Sequence, residues 1–255
     1  MAGEVAGPPL ADFGTLDSFQ PPWELLDGLD LSDVNENCAR SDLYTRAGCC
    51  PRPFERMQFL RGSENLFYDL GYGVAEVYRL RDMVHDYYVR EMELWAKTDV
   101  DALSFMDDWG AQTALLISPN QWREFYKPLY RDYCRIAHSH GKAIFFHSDG
   151  FIEPIYPDLV EIGVDAVNSQ LFCMDIERLA EDFKGKITFW GEIDRQWVLP
   201  FGTPQDVESA VWRVRRALDD GTGGVIAQCE WGKHNPRANI ETVYATWDRP
   251  LCEMP

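Results

Sequence analysis

Six short apolar runs constrain what this chain can fold into. They are DLYTRAG (42–48), ALSFMDDW (102–109), AIFFHSDG (143–150), AVNSQL (166–171), ITFWGEID (187–194) and GVIAQCEW (224–231). Helix-like stretches lie between them. SPNQWREFYKPLYRDYCRIAHSHG (118–141) opens with Ser118-Pro119, an N-cap followed by Pro at the first helical position, and closes at Gly141. IEPIYPDLVEIG (152–163) and TPQDVESAVWRVRRALDDG (203–221) follow the same grammar. Strand, helix, strand at this spacing predicts right-handed βαβ units and a parallel sheet.

The later runs end in polar residues: Asp107-Asp108, His147-x-Asp149, Asn168-x-Gln170, Glu192-x-Asp194 and Cys229-Glu230. In a (β/α) barrel the functional groups sit at the C-terminal ends of the strands. A doubly wound sheet would gather them at one switch point beside a glycine-rich phosphate turn, and no G-x-G-x-x-G occurs. The fold class expected is therefore α/β, a TIM (β/α) barrel. A full barrel has eight strands. Only six runs are clear, so either the arm hides further strands or the barrel is incomplete on its N-terminal side. Residues 1–40 read differently. Pro8-Pro9, Pro21-Pro22 and the acidic WELLDGLDLSDVNEN offer no long periodic element. They read as an extended arm with one short helical turn, lacking a core of its own, ahead of a barrel domain over 41–255.

Composition removes some functions. The net charge of −18 argues against nucleic acid and against an anionic membrane surface. No run of about 18 apolar residues exists to span a bilayer. The first residues show no basic region ahead of an apolar core, so no signal peptide is read, and a cytoplasmic protein is expected. Seven cysteines without a C-x-x-C suit reduced thiols.

His147 and Asp149 stand two apart. On a strand they share one face, roughly 6.5–7 Å apart along the backbone, and both can reach one metal ion or one substrate. Asp149-Gly150 is equally a turn, with Asp149 as a helix cap. Cys229 adds a thiol that completes a zinc set, or is an inert buried cysteine. Glu192 and Asp194 face the mouth or cap the next turn. Asp107, Asp108 and Trp109 bring two acids and an indole to another strand end.

FFHSDGFIEPIYPDLVEIGVDAVNSQ, ITFWGEIDRQWVLPFGTPQDV, DDWGAQTALLISPNQWREFYKPLY and a Gly-Gly strand ending in a polar cluster together resemble the uroporphyrinogen decarboxylase and corrinoid-dependent methyltransferase superfamily. The resemblance runs over about residues 52–249 and implies a TIM barrel. The decarboxylase branch binds its tetrapyrrole through an arginine-rich N-terminal motif. No RQAGR-like segment occurs, although YTRAGCCPR supplies Arg46 and Arg52. In that branch Asp107 or Asp108 would stabilise a protonated pyrrole.

The methyltransferase branch carries His-x-Cys-Gly and a later Cys as zinc ligands. His147 and Cys229 fall at those places, with Asp149 where the family has Cys. The resemblance thus implies zinc held by His147, Asp149 and Cys229. It also implies a small methylated substrate and a corrinoid carried by a partner protein. Asp107 and Glu192 are the candidate catalytic residues, and Asp108, Trp109, Gln170 and Asp194 the candidate substrate contacts. The favoured expectation is metal-assisted methyl transfer. Metal-free tetrapyrrole decarboxylation is the alternative, and a non-catalytic or truncated family member the third reading. A homodimer fits each of them.

Overall fold

The structure, a computed structural model, describes residues 5–255; the first four residues of the N-terminal arm lie outside the described residues. After a 3-10 turn at Phe13–Ser18 come α1 (Trp23–Asp27), α2 (Ser32–Ala39), α3 (Pro53–Arg61), α4 (Ser63–Tyr72) and α5 (Ala75–Trp95). Then β1 (Ala102–Met106), α6 (Pro119–Phe125), α7 (Lys127–Ser139), β2 (Ala143–Ser148), α8 (Tyr156–Ile162), β3 (Ala166–Ser169) and α9 (Ile176–Phe183) alternate. The chain closes with β4 (Thr188–Gly191), α10 (Val198–Phe201), α11 (Pro204–Leu218), β5 (Val225–Ala227) and α12 (Arg237–Trp247). The α/β class with parallel strands is borne out. No helix among the described residues is long and apolar enough to cross a membrane.

The chain forms two compact units. One joins the chain up to Asp107 with Glu124–Ile144; the other joins Asp108–Arg123 with Phe145–Pro255. In the first unit, α5 buries Val77, Leu80, Val84, Tyr88 and Met92. This spacing of three and four residues places one apolar stripe along the helix. The arm is not extended. Leu10 in a turn, Leu16 in the 3-10 segment and Leu26 in α1 enter the core. Arg61 ties the arm down, donating to the carbonyls of Leu10 and Ala11 while pairing with Asp69 at 2.6 Å. Arg79 pairs with Asp17, and Arg90 with Asp27.

Two sequence expectations change here. The run 42–48 is not a strand: it makes a single parallel bridge, Arg46 to Ala102. Leu43 and Tyr44 are exposed and only Ala47 of the run's apolar side chains is buried. Among the described residues there are therefore five strands and not six. The helix expected over 118–141 is two helices. Pro128 supplies no N–H and its ring crowds the carbonyl four residues back, which separates α7 from α6 at Tyr126.

In the second unit, the strands from β2 to β5 pair in parallel and in chain order. Their register places His147 beside Asn168, Asn168 beside Trp190, and Trp190 beside Ile226. On β2, Ile144, Phe146 and Ser148 are buried while Ala143, Phe145 and His147 are half-buried. The run is thus not covered equally on both faces. The buried face packs on helices: the Tyr156 ring of α8 stacks on Phe189, and its hydroxyl bonds Ser169 at 2.6 Å. The other face carries Phe145 edge-on to Trp190, then His147 and Asn168 one step further along. Beyond the strand ends, the same two-residue period brings out Asp149, Gln170, Glu192 and Gln228.

Candidate metal and substrate site

Four aligned strands build the site, and all of it lies in the second unit. His147 Nδ1 is 2.5 Å from Asn168 Oδ1. The Asn168 amide nitrogen faces three acceptors, the Trp190 carbonyl at 3.0 Å, Glu192 Oε1 at 3.2 Å and Gln228 Oε1 at 3.4 Å. An amide nitrogen only donates, so the carbonyl and the carboxylate fix the amide with its oxygen toward the histidine. His147 Nδ1 must then carry the proton. Its Nε2 faces Asp108 Oδ1 at 3.6 Å and Asp149 Oδ1 at 3.8 Å. The ligand atoms of Asp108, His147 and Asp149 all lie within 4.8 Å of one another.

Asp149 also accepts a 2.7 Å bond from Arg195. The same guanidinium contacts Glu230, and its Nε lies 3.3 Å from Glu192 Oε2. Glu192 is 2% exposed. Burial pushes its carboxyl up, Arg195 pulls it back, and Asp149 pushes it up again. Its Oε1 accepts from Asn168 and from Gln228, whereas Oε2 makes no hydrogen bond. A chain of contacts therefore runs from His147 through Asn168, Glu192 and Arg195 back to Asp149.

Two glycines hold the loops that carry the acids. Gly110 donates to the Asp149 carbonyl, Phe151 donates to the Ala111 carbonyl, and Asp149 donates its own N–H to Asp108 Oδ1 at 3.0 Å. A Cβ on Gly110 would run into the Phe151 nitrogen, and one on Gly150 into the Gly110 carbonyl. Gly150 also has φ +77°, where a side chain is strained. Beside the acids opens a cleft of ≈ 120 Å³, lined in part by Gln112, Gln170, Phe172, Asp194 and Trp197. Gln170 accepts from the Gly150 N–H at 3.0 Å.

The expected residues divide. His147, Asp149 and Asp108 come together, and Glu192, Gln170 and Asp194 border the cleft. Asp194 spends one oxygen on the N–H groups of Gln196 and Trp197, capping the turn into α10. Three expectations require correction. Cys229 stands outside both metal-capable groups; its buried thiol is pushed up to about 11, by burial first and Glu192 second. Trp109 is fully buried, edge-on to Trp122, and an indole with no exposed surface is core and not a substrate contact. Asp107 is also fully buried. Its carboxylate takes the N–H groups of Phe54 and Glu55 at 2.9 and 2.8 Å and the Tyr130 hydroxyl at 2.6 Å. Burial pushes this carboxyl up to about 8 against the pull of those three donors. Asp107 thus anchors the start of α3 instead of meeting a substrate.

Asn168, Arg195 and Glu230 were not singled out as site residues by sequence. Asn168 was visible as the first member of Asn168-x-Gln170. Arg195 sits in a loop past the strand, where no periodicity marks it.

The fold and the site together define an α/β enzyme scaffold with its polar groups at the strand ends. Residues 46–249 match the uroporphyrinogen decarboxylase (URO-D) family, and the chain belongs to that family. Eighteen solved chains match. One of them, a methyltransferase from Methanosarcina mazei, superposes with a TM-score of 0.73 at 16% identity, over 96% of this chain and 71% of that one. At that identity the likeness is one of fold. No curated protein matches the chain.

Proposed function

We propose that the protein catalyses metal-assisted methyl transfer from a small methylated compound, with a corrinoid on a partner protein as the acceptor. One observation carries this reading. Asn168 engages Nδ1 of His147, so that Nε2 is turned toward two carboxylate oxygens at 3.6 and 3.8 Å. Such a set calls for a cation at its centre, and a fixed tautomer is the usual preparation of a metal-ligating histidine. The donors are one nitrogen and two oxygens, a set that suits zinc with an open position. Asp108 takes the part that the sequence reading gave to Cys229.

A metal held by Asp108, His147 and Asp149 would supply Lewis acidity toward the substrate heteroatom. The chain's own groups do the rest. Gln170 and Trp197 line the cleft that orients a small substrate. Glu192 steers the site by holding the Asn168 amide and the Arg195 guanidinium in place. The methyl group leaves without the bonding pair, which stays on the heteroatom; the partner's corrinoid, in its reduced form, supplies the electron pair for the new bond to the methyl group, and the heteroatom takes a proton from water. A uroporphyrinogen, with its eight carboxylates, suits the site poorly: Asp108, Asp149, Glu192 and Glu230 outnumber Arg195, and the cleft is small.

Elemental analysis of the purified protein and of His147→Ala tests the proposal. Stoichiometric zinc in the first, and its loss in the second with an unchanged far-UV circular dichroism spectrum, is expected. Equal metal content in both would overturn it.

A further inference from the structure

Two groups of potential ligands share one residue. Asp108, His147 and Asp149 form the first; Asp149, Glu192 and Glu230 form the second. The second is already filled, because the Arg195 guanidinium contacts all three of its carboxylates. The overlap reaches the atom: Asp149 Oδ1, which faces His147 Nε2 at 3.8 Å, is the oxygen that accepts Arg195 at 2.7 Å. A metal ion drawing on that oxygen meets a cation already bonded to it.

Resting on the metal reading above, we propose that Arg195 is a built-in competitor for the metal. It holds Asp149 until a divalent ion takes the carboxylate, and then withdraws onto Glu192. The structure supplies the place of withdrawal. Glu192 is 2% exposed, yet its Oε2 makes no hydrogen bond, only the 3.3 Å ionic contact with Arg195 Nε. A buried acceptor without a donor is costly and is rarely left so. A small rotation of the guanidinium supplies that donor while Glu230 keeps its own contact. Arg195 then exchanges one carboxylate for a full bond to another, and the buried Glu192 charge is never left unpaired. Arg195 acts on the metal through Asp149, so it is a positioning residue.

The test is zinc binding by calorimetry, with the zinc-loaded crystal structure beside it. Arg195→Gln removes the competitor and is expected to tighten zinc binding about tenfold or more, the size usual for groups behind a metal's ligands. In the zinc-loaded wild type, Arg195 is expected to have left Asp149 and to bond Glu192 Oε2. Affinity unchanged or weakened in Arg195→Gln, or Arg195 still on Asp149 with zinc bound, overturns the proposal. Should Arg195→Gln fail to fold, Glu192→Gln/Arg195→Gln removes the buried carboxylate together with its cation. That pair is expected to bind zinc more tightly than Glu192→Gln alone, and an equal or lower affinity overturns the proposal. His147→Ala separates the two claims: zinc binding that survives it sinks the metal reading itself. Loss in His147→Ala without gain in Arg195→Gln sinks only the competition.

Discussion

At the scale of single residues, the site depends on a hydrogen bond that carries no metal. Asn168 decides which nitrogen of His147 is free. Asn168→Ala keeps every ligand and releases the tautomer. Zinc affinity should fall roughly ten- to hundredfold by calorimetry. Because the ligands bind metal only when deprotonated, affinity should also weaken as pH falls. Asp107 gives a different pH signal. Its folded-state carboxyl is pushed from 3.8 to about 8 by burial, so between those values the folded chain holds a proton that the unfolded chain has lost. Stability from this group is therefore present below pH 3.8 and lost as pH rises toward 8. The melting temperature of wild type relative to Asp107→Asn should fall steadily from pH 5 to pH 8; a difference that grows with pH would contradict the assignment. His147 and Asp149 were legible in the sequence because a strand's two-residue period alone aligns them. Arg195 was not, because a loop residue is placed by the three carboxylates that surround it, and these come together only in the fold.

At the scale of elements, register does the work that sequence spacing cannot. The pairing of His147, Asn168 and Trp190 across β2, β3 and β4 turns three separate strand ends into one polar layer. The strands themselves were readable from apolar runs that end in polar residues. Their lengths were not: β5 keeps only Val225–Ala227 of an eight-residue run, and the run 42–48 keeps one bridge. A run becomes a strand only when a neighbour covers its apolar side chains, which the run does not record. The loops beyond the strands depend on the contact of Gly110 with Gly150. Gly110→Ala should cost about 1–3 kcal/mol in denaturant unfolding, since a methyl group there meets backbone and not a movable side chain. The proposed zinc site should loosen with it, because Asp108 and Asp149 ride on these two turns. Unchanged stability and affinity would show that the turns yield easily.

At the scale of the whole chain, the arm and the family assignment carry the remaining tests. The proline pairs and the acidic run suggested an arm without a core of its own, yet Leu10, Leu16 and Leu26 are buried. Each such side chain contributes roughly 1.5–3 kcal/mol. Deleting residues 1–30 should therefore lower the melting temperature by roughly 10 °C or more, and a shift of only a degree or two would show that the arm is dispensable. Family membership accounts for the scaffold and leaves the reaction open between methyl transfer and decarboxylation. The direct test is to give the zinc-loaded protein a panel of small methylated compounds together with reduced free corrinoid, and in parallel to give it uroporphyrinogen. Methylation of the corrinoid from one of the compounds, abolished in His147→Ala, is the expected result. Carbon dioxide release from uroporphyrinogen, undiminished in His147→Ala and without any methyl transfer, would contradict it.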